Sequence, residues 1–204
     1  MGVKERRARQ KEELRQEILE AARELFAKEG YENVSMRKIA AKIDYTPTTI
    51  YLYFTDKHEL LDSICEETFA RLVKEFEDIV AKHQDPVEQL IEAGRAYVEF
   101  GLSHPKHYMV TFMSGESHLT AVEAERAHRG SMGEKCFAHL RAMVEKCVQQ
   151  GRIRPVDVDA ISQGLWAMVH GVTSLLITKP HFPWVEKEKL VAQLLDITTQ
   201  GLKA

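Results

Sequence analysis

The sequence predicts an all-α fold. Three observations carry that prediction. Apolar residues recur with a period near 3.6 along most of the 204 residues. No stretch shows the sustained apolar–polar alternation of a half-buried strand. Pro86, Pro105, Gly115, Gly151 and Pro155 fall between the periodic stretches, so they punctuate helices rather than interrupt them. Apolar residues make up 44% of the chain and charged residues 29%, the balance of a soluble globular protein rather than a disordered or membrane one.

The first helix ends in F-A-K-E-G-Y, Phe26 to Tyr31. Ser35 can cap a second helix that carries Ile39, Ala40 and Ile43 on one face, and Asp44 sits where that helix must stop and turn. Thr46 then offers a side-chain oxygen to unpaired backbone N–H groups. Pro47 occupies the first helical turn, where its missing donor costs nothing. The helix so started is about two turns long and rich in hydroxyls, at Thr48, Thr49, Tyr51 and Tyr53, where a buried helix would carry Leu or Val. Hydroxyls suit phosphate oxygens and base edges, and Thr methyls suit the thymine methyl. A helix-turn-helix reader of double-stranded DNA is the inference. Spacing alone also admits a plain helical hairpin with packed tyrosines and solvated threonines.

The residues from Thr49 to Leu61, T-I-Y-x-Y-F-x-x-K-x-x-L-L, resemble the recognition-helix signature of the TetR family of transcriptional regulators. M-R-K-I-A, which includes Arg37, resembles that family's second helix, and F-A-K-E-G-Y the end of its first. The resemblance covers about the first quarter of the chain. It implies that Lys57 contacts a backbone phosphate. Pro47, Thr48 and Tyr51 are expected to influence base choice, with Thr46, Thr49 and Tyr53 on phosphates and Arg37 in either group. One departure is visible: Asp44 stands where the family usually has Gly, although Asp tolerates a left-handed conformation better than most residues.

The net charge of −3 hides an asymmetry. Residues 1–57 hold twelve Lys or Arg against ten Asp or Glu, and the excess gathers at Lys4, Arg6, Arg7, Arg9, Lys11 and Arg15, opposed there only by Glu5, Glu12 and Glu13. This pattern suits a flexible arm reaching phosphates or a minor groove.

From about residue 56 the chain reads as successive helices. One long helix runs from Lys57 to Lys82, closed by A-K-H-Q-D-P, and the next carries Val87 to Leu102. Pro105 starts a short one that Gly115 breaks. A helix from about Ser117 to Gln150 follows, with Gly130 and Gly133 as weak points, and two more cover about 157–178 and 186–202. Three aromatic clusters are candidates to line a small-molecule pocket: Tyr97 with Phe100, Tyr108 with Phe112 and Met113, and Trp166 with His170. H-P-x-x-Y-x-x-x-F, His104 to Phe112, and W-x-x-x-H-G, Trp166 to Gly171, resemble motifs of the TetR-family C-terminal domain named for its Trp-His-Gly signature. On that reading Trp166 and His170 border either a ligand site or a dimer seam, and Gly171 lets a neighbouring helix come close.

His104 with His107, and His118 with His128, invite a metal reading, but neither pair has the further ligands of a zinc site. There is no G-x-S-x-G, no H-E-x-x-H and no Gly-rich phosphate loop. Neither a cofactor nor catalysis is expected. Cys65, Cys136 and Cys147 read as reduced, mostly buried thiols, and no run has the roughly 18 uninterrupted apolar residues that span a bilayer. The whole reads as a helix-turn-helix DNA-binding domain over 1–56 and a helical ligand-binding and dimerisation domain over 57–204. The expected function is a cytoplasmic, ligand-responsive regulator, a repressor that binds a palindromic operator as a homodimer through the last two helices. A small hydrophobic effector would release it. The alternative is a helical small-molecule-binding protein or enzyme without specific DNA binding.

Overall fold

The computed structural model describes residues 2–113 and 129–203, and every regular element among the described residues is helical. In order these are α1 (Val3–Glu29), a 3₁₀ turn (Tyr31–Asn33), α2 (Met36–Lys42), α3 (Pro47–Tyr51), α4 (Lys57–Lys82), α5 (Pro86–Ser103) and α6 (Pro105–Met113). After the undescribed stretch come α7 (Met132–Gln149), α8 (Val158–Thr178) and α9 (Lys187–Leu202). Contacts divide the chain into two compact units. One comprises the chain up to Thr68 together with α6 from Lys106; the other comprises 69–105 and the described residues from 129 onward.

The first unit is built on one apolar core. Ile18, Leu19 and Phe26 of α1 meet Ile39 of α2, Ile50 of α3, Phe54, and Leu60 and Ile64 of α4. Charged pairs tie its helices together. The Glu24 carboxylate on α1 takes Lys42 of α2 and Lys106 of α6, each at 2.7 Å, and these ammonium groups hold it down at about 2. Glu67 on α4 takes Arg15 at 3.2 Å and the buried Arg23 at 3.5 Å, both from α1. The basic N-terminal residues are helical from Val3 onward, which corrects the expectation of a flexible arm. Their side chains from Lys4 to Glu13 are exposed on that helix.

The turn between α2 and α3 accommodates Asp44 in the left-handed region, at φ 57°. The Tyr45 N–H donates back to the Ala40 carbonyl at 3.0 Å, closing the turn. An L side chain pays for this conformation, and Asp pays less than most.

In the second unit α5 packs against α7, α8 and α9, and α7 against α8. Leu90, Ala93, Tyr97 and Val98 of α5 are buried, as are Met143 and Val144 of α7, Val169 and Val172 of α8, and Leu195 of α9. Gly94 permits the α5–α9 approach, because a Cβ there would stand 2.6 Å from Leu195 Cδ2. The helix expected from Ser117 to Gln150 differs from what is found. Its last part starts at Met132, where Ser131 accepts the Glu134 N–H at 3.1 Å and Gly130 turns at φ 78°. Gly115, Ser117, His118 and His128 lie outside the described residues. Burial pushes the Cys136 thiol up to about 12 and the Cys147 thiol up to about 11, which leaves both poor nucleophiles.

Helix α8 is long and apolar enough to cross a membrane by length and composition, and only 28% of its most apolar window is buried within the protomer. Its open side includes Trp166 and Leu175, while α9 exposes Ile197.

The left-handed Asp44 yields a stability prediction. Asp44→Val should lower unfolding stability by about 1–2 kcal/mol, and Asp44→Gly should leave it unchanged or raise it by up to about 1 kcal/mol. Denaturant melts of the two variants check this; equal losses in both would show that the turn does not depend on φ at residue 44.

Candidate nucleic-acid interface and ligand-binding cluster

The short helix α3 is held at both ends. Thr46 Oγ1 accepts the Thr49 N–H at 3.3 Å and lies 3.0 Å from Thr49 Oγ1, and Pro47 fills the first helical position. Ile50 is fully buried and anchors the inner side. The chain continues as a tight turn in which the Tyr53 and Phe54 N–H groups donate to the Ile50 carbonyl, and this drives Phe54 into the core. Anchoring one side directs the other outward. Thr48 is exposed, Tyr51 is 53% exposed and Leu52 74%, while Pro47, Thr49 and Tyr53 are half-buried. Arg37, on α2, is also exposed.

Lys57 has a partner within the protein. Its ammonium donates to the Tyr31 carbonyl at 2.8 Å and sits 3.9 Å from the centre of the Tyr31 ring. That joins the start of α4 to the 3₁₀ turn after α1, with two further N–H donors left on the ammonium. Asp56 caps α4, accepting the His58 and Glu59 N–H groups at 2.8 and 2.9 Å. Two exposed residues beside α3 escaped the sequence reading. Tyr45, 42% exposed, immediately precedes the Thr46 cap, and Leu52 directly follows the last helical residue. Their positions next to the cap and the helix end were the available signal.

The pocket candidates separate. Tyr97, Trp166 and His170 come together in the second unit: the Trp166 indole N–H donates to the Tyr97 hydroxyl at 3.4 Å, and that hydroxyl lies 3.1 Å from His170 Nδ1. The Phe137 ring meets the Trp166 ring nearly edge-on at 6.2 Å. A neutral imidazole lets Nδ1 accept a hydrogen bond from the Tyr97 hydroxyl while that hydroxyl accepts the indole N–H. Phe100 is instead stacked on His104, ring centres 5.0 Å apart. Tyr108 and Phe112, 4.9 Å apart, belong to the first unit, where Tyr108 is fully buried. The Met113 side chain lies outside the described residues. Among the described residues, α8's own neighbouring backbone aside, nothing comes within 4 Å of a Cβ built on Gly171, so the close helix approach expected there is not made by these elements. His104 Nδ1 is 3.2 Å from the Phe100 carbonyl, and His107 Nδ1 is 3.4 Å from Thr68 Oγ1.

Burial lowers the His170 pKa below its ordinary 6.5. The unfolded chain therefore takes up the proton first as pH falls. The associated stability is complete above about pH 6.5 and is lost as pH drops toward the lower folded value. Between about pH 7.5 and pH 5.5 the wild type should lose more melting temperature than His170→Gln, which keeps a hydrogen-bonding group beside Tyr97. Parallel pH profiles for the two proteins would mean that His170 titrates normally in the fold.

Comparison with known proteins accounts for both units. Residues 18–64 match bacterial regulatory proteins of the tetR family, and residues 90–198 match the Tetracyclin repressor-like C-terminal domain. The chain is 26% identical over 193 residues to the uncharacterized HTH-type transcriptional regulator YhgD of Bacillus subtilis, covering 92% of this chain and 95% of that protein. It is 28% identical over 190 residues to the Fatty acid metabolism regulator protein of Bacillus subtilis, covering 88% and 92%. Among solved structures, the fatty acid degradation regulator FadR from Bacillus halodurans has the same fold, with a TM-score of 0.77 at 19% identity, covering 91% of this chain and 94% of that one. The finer Trp-His-Gly assignment rests on the two motifs from His104 to Phe112 and from Trp166 to Gly171. With a capped, core-anchored recognition helix in one unit, and matches that together span most of its length, the chain belongs to the TetR family and is a ligand-responsive, DNA-binding transcriptional regulator.

Proposed function

We propose that this chain is a cytoplasmic homodimeric repressor that binds a palindromic operator and leaves it when a small hydrophobic effector binds. The observation that carries the reading is the outward presentation of Thr48 and Tyr51 from a helix whose opposite side is locked by Ile50. Pro47, Thr48 and Tyr51 would meet base edges, whereas Thr46, Thr49, Tyr53 and Lys57 would meet phosphates, with Arg37 beside either group. The functional division falls after residue 56, where the reading helix and its turn are complete.

Dimerisation is required on physical grounds. One helix of five residues reaches too few bases for specific affinity, so two heads must enter major grooves about 34–36 Å or more apart. The open sides of α8 and α9, with Leu175, Ile197 and the uncrowded Gly171, supply an apolar seam for a second copy. An effector among Tyr97, Trp166 and His170 would sit beside that seam, two of the three being on α8 itself. An apolar effector with a hydrogen-bonding end suits this mixture of rings and polar atoms, and the fatty acid metabolism named for one relative fits that chemistry. Induction is then the difference in effector affinity between the DNA-competent and mis-spaced forms, with α4 as the lever. Nothing in this scheme calls for catalysis, a metal or a cofactor.

Sheared DNA from the source genome, captured by the purified chain at physiological salt and sequenced, tests the proposal. A few palindromic sites beside promoters are expected; salt-sensitive capture without preferred sites would overturn it. On a recovered site, Thr48→Ala should change the preferred sequence, each lost contact costing about 1–3 kcal/mol. Lys57→Ala should weaken all sequences alike and reduce the salt slope by about 0.9 per head, with some loss of thermal stability because the tie to Tyr31 also goes. Indistinguishable effects of the two variants across a sequence panel would refute the assignment of bases to one and phosphate to the other.

A further inference from the structure

Leu52 is the most exposed large apolar side chain among the described residues, at 74%. It directly follows α3, and its backbone, at φ −75° and ψ −15°, stays in the right-handed helical region. Its side chain therefore continues the register of α3. Thr48, Tyr51 and Leu52 stand at i, i+3 and i+4, which puts all three on one side of the helix. The other side is occupied: Ile50 and Phe54 are buried in the core and Tyr53 packs against it, whereas Leu52 has no part in that core. The Tyr53 and Phe54 N–H groups both donate to the Ile50 carbonyl, at 2.9 and 3.1 Å, so the backbone is pinned on each side of Leu52. A single leucine in solvent is ordinary on a protein surface. Here it stands beside the residues that α3 offers to bases, where contact with DNA would take it out of water.

The major groove leaves an isobutyl group one good partner. Guanine, cytosine and adenine present hydrogen-bonding groups there, while thymine adds a C5 methyl. An apolar side chain set over a donor or acceptor strips its water and returns no bond. Over the thymine methyl it buries apolar surface on both molecules. Phosphates give it nothing, since leucine has no donor to offer them. The position of the base is also bounded. Four residues along a helix rise about 6 Å, close to two base-pair steps of about 3.4 Å. The base under Leu52 thus lies within about two base pairs of the base under Thr48.

We propose that Leu52 is a specificity-determining residue, which selects thymine at one position of each operator half-site by covering its 5-methyl group. The proposal rests on the reading of α3 as the recognition helix and adds a base contact which that reading did not assign. Thr48 and Leu52 lie one turn apart, so the threonine methyl and the isobutyl group make a short apolar strip with Tyr51 beside it. Leucine is the part of the strip that cannot hydrogen-bond, and it therefore responds to the methyl alone. Cytosine that carries the same methyl is favoured over plain cytosine for the same reason.

The test uses the full-length chain and duplexes of a site recovered by genomic capture, with thymines replaced by uracil one position at a time in both half-sites together. This replacement removes the methyl and keeps every hydrogen-bonding group. At one position, within about two base pairs of the one altered by Thr48→Ala, wild-type affinity should fall about fourfold for each half-site, the worth of one buried methyl group. Leu52→Ala should bind the thymine and uracil duplexes there within about twofold of each other. With cytosine at that position, 5-methylation should tighten the wild type about fourfold for each half-site and leave Leu52→Ala unmoved. Each comparison is a ratio for one protein, so loss of folded material weakens both duplexes alike and leaves the ratio untouched. A Leu52→Ala variant that keeps the wild-type ratio overturns the proposal, whether or not it binds more weakly overall. A ratio lost in Thr48→Ala but kept in Leu52→Ala gives the methyl to Thr48 and overturns it too. In both cases the reading of α3 stands, because Thr48→Ala still shifts the preferred sequence. A wild type that recovers no preferred sites brings down the reading of α3, and this proposal with it.

Discussion

Everything the first unit presents to DNA depends on the burial of two side chains, Ile50 and Phe54. A five-residue helix cannot hold itself together in water, because the cost of nucleation exceeds what so few hydrogen bonds return. Burying an isoleucine and a phenylalanine contributes about 1.5–3 kcal/mol each, enough to fix α3 and the turn after it against α1, α2 and α4. The hydroxyls on the other side are then displayed as a consequence. A polar residue at position 50 or 54 would remove the platform, whatever happened to Thr48 or Tyr51.

The charged pairs around this core act differently. Lys42 and Lys106 on Glu24 are surface interactions, worth little individually, but they join three helices at one carboxylate and so restrict how those helices slide. Arg23 is another matter, since it is 4% exposed and would be costly to bury without Glu20 and Glu67. It links α1 to α4 at the level of Glu67, one residue before the chain leaves the first unit at Thr68. Lys57 belongs to the same set of ties through the Tyr31 carbonyl and ring.

In the second unit, polarity is concentrated where apolar packing thins. Tyr97 is buried on α5, yet its hydroxyl is engaged by two residues of α8, one of them the half-exposed Trp166. This hydrogen-bonded trio therefore joins a core residue of α5 to the open face of α8. The Gly94–Leu195 crossing is by contrast tightly packed.

The sequence by itself determined the helical class, the caps at Ser35 and Thr46, the turn at Asp44 and the identity of the outward hydroxyls on α3. These are local matters: a cap, a proline in the first turn and a 3.6-residue period act within one or two turns of chain, so neighbouring letters suffice to read them. Only the tertiary structure decided which separated residues meet. It joined Tyr97 to Trp166 and His170, put Tyr108 and Phe112 in the other unit, gave Lys57 a partner in Tyr31 and made the basic N-terminus a helix beside Tyr45 and Tyr53. Those outcomes depend on how helices far apart in the chain are packed, and packing is settled by the summed fit of many side chains rather than by any local pattern.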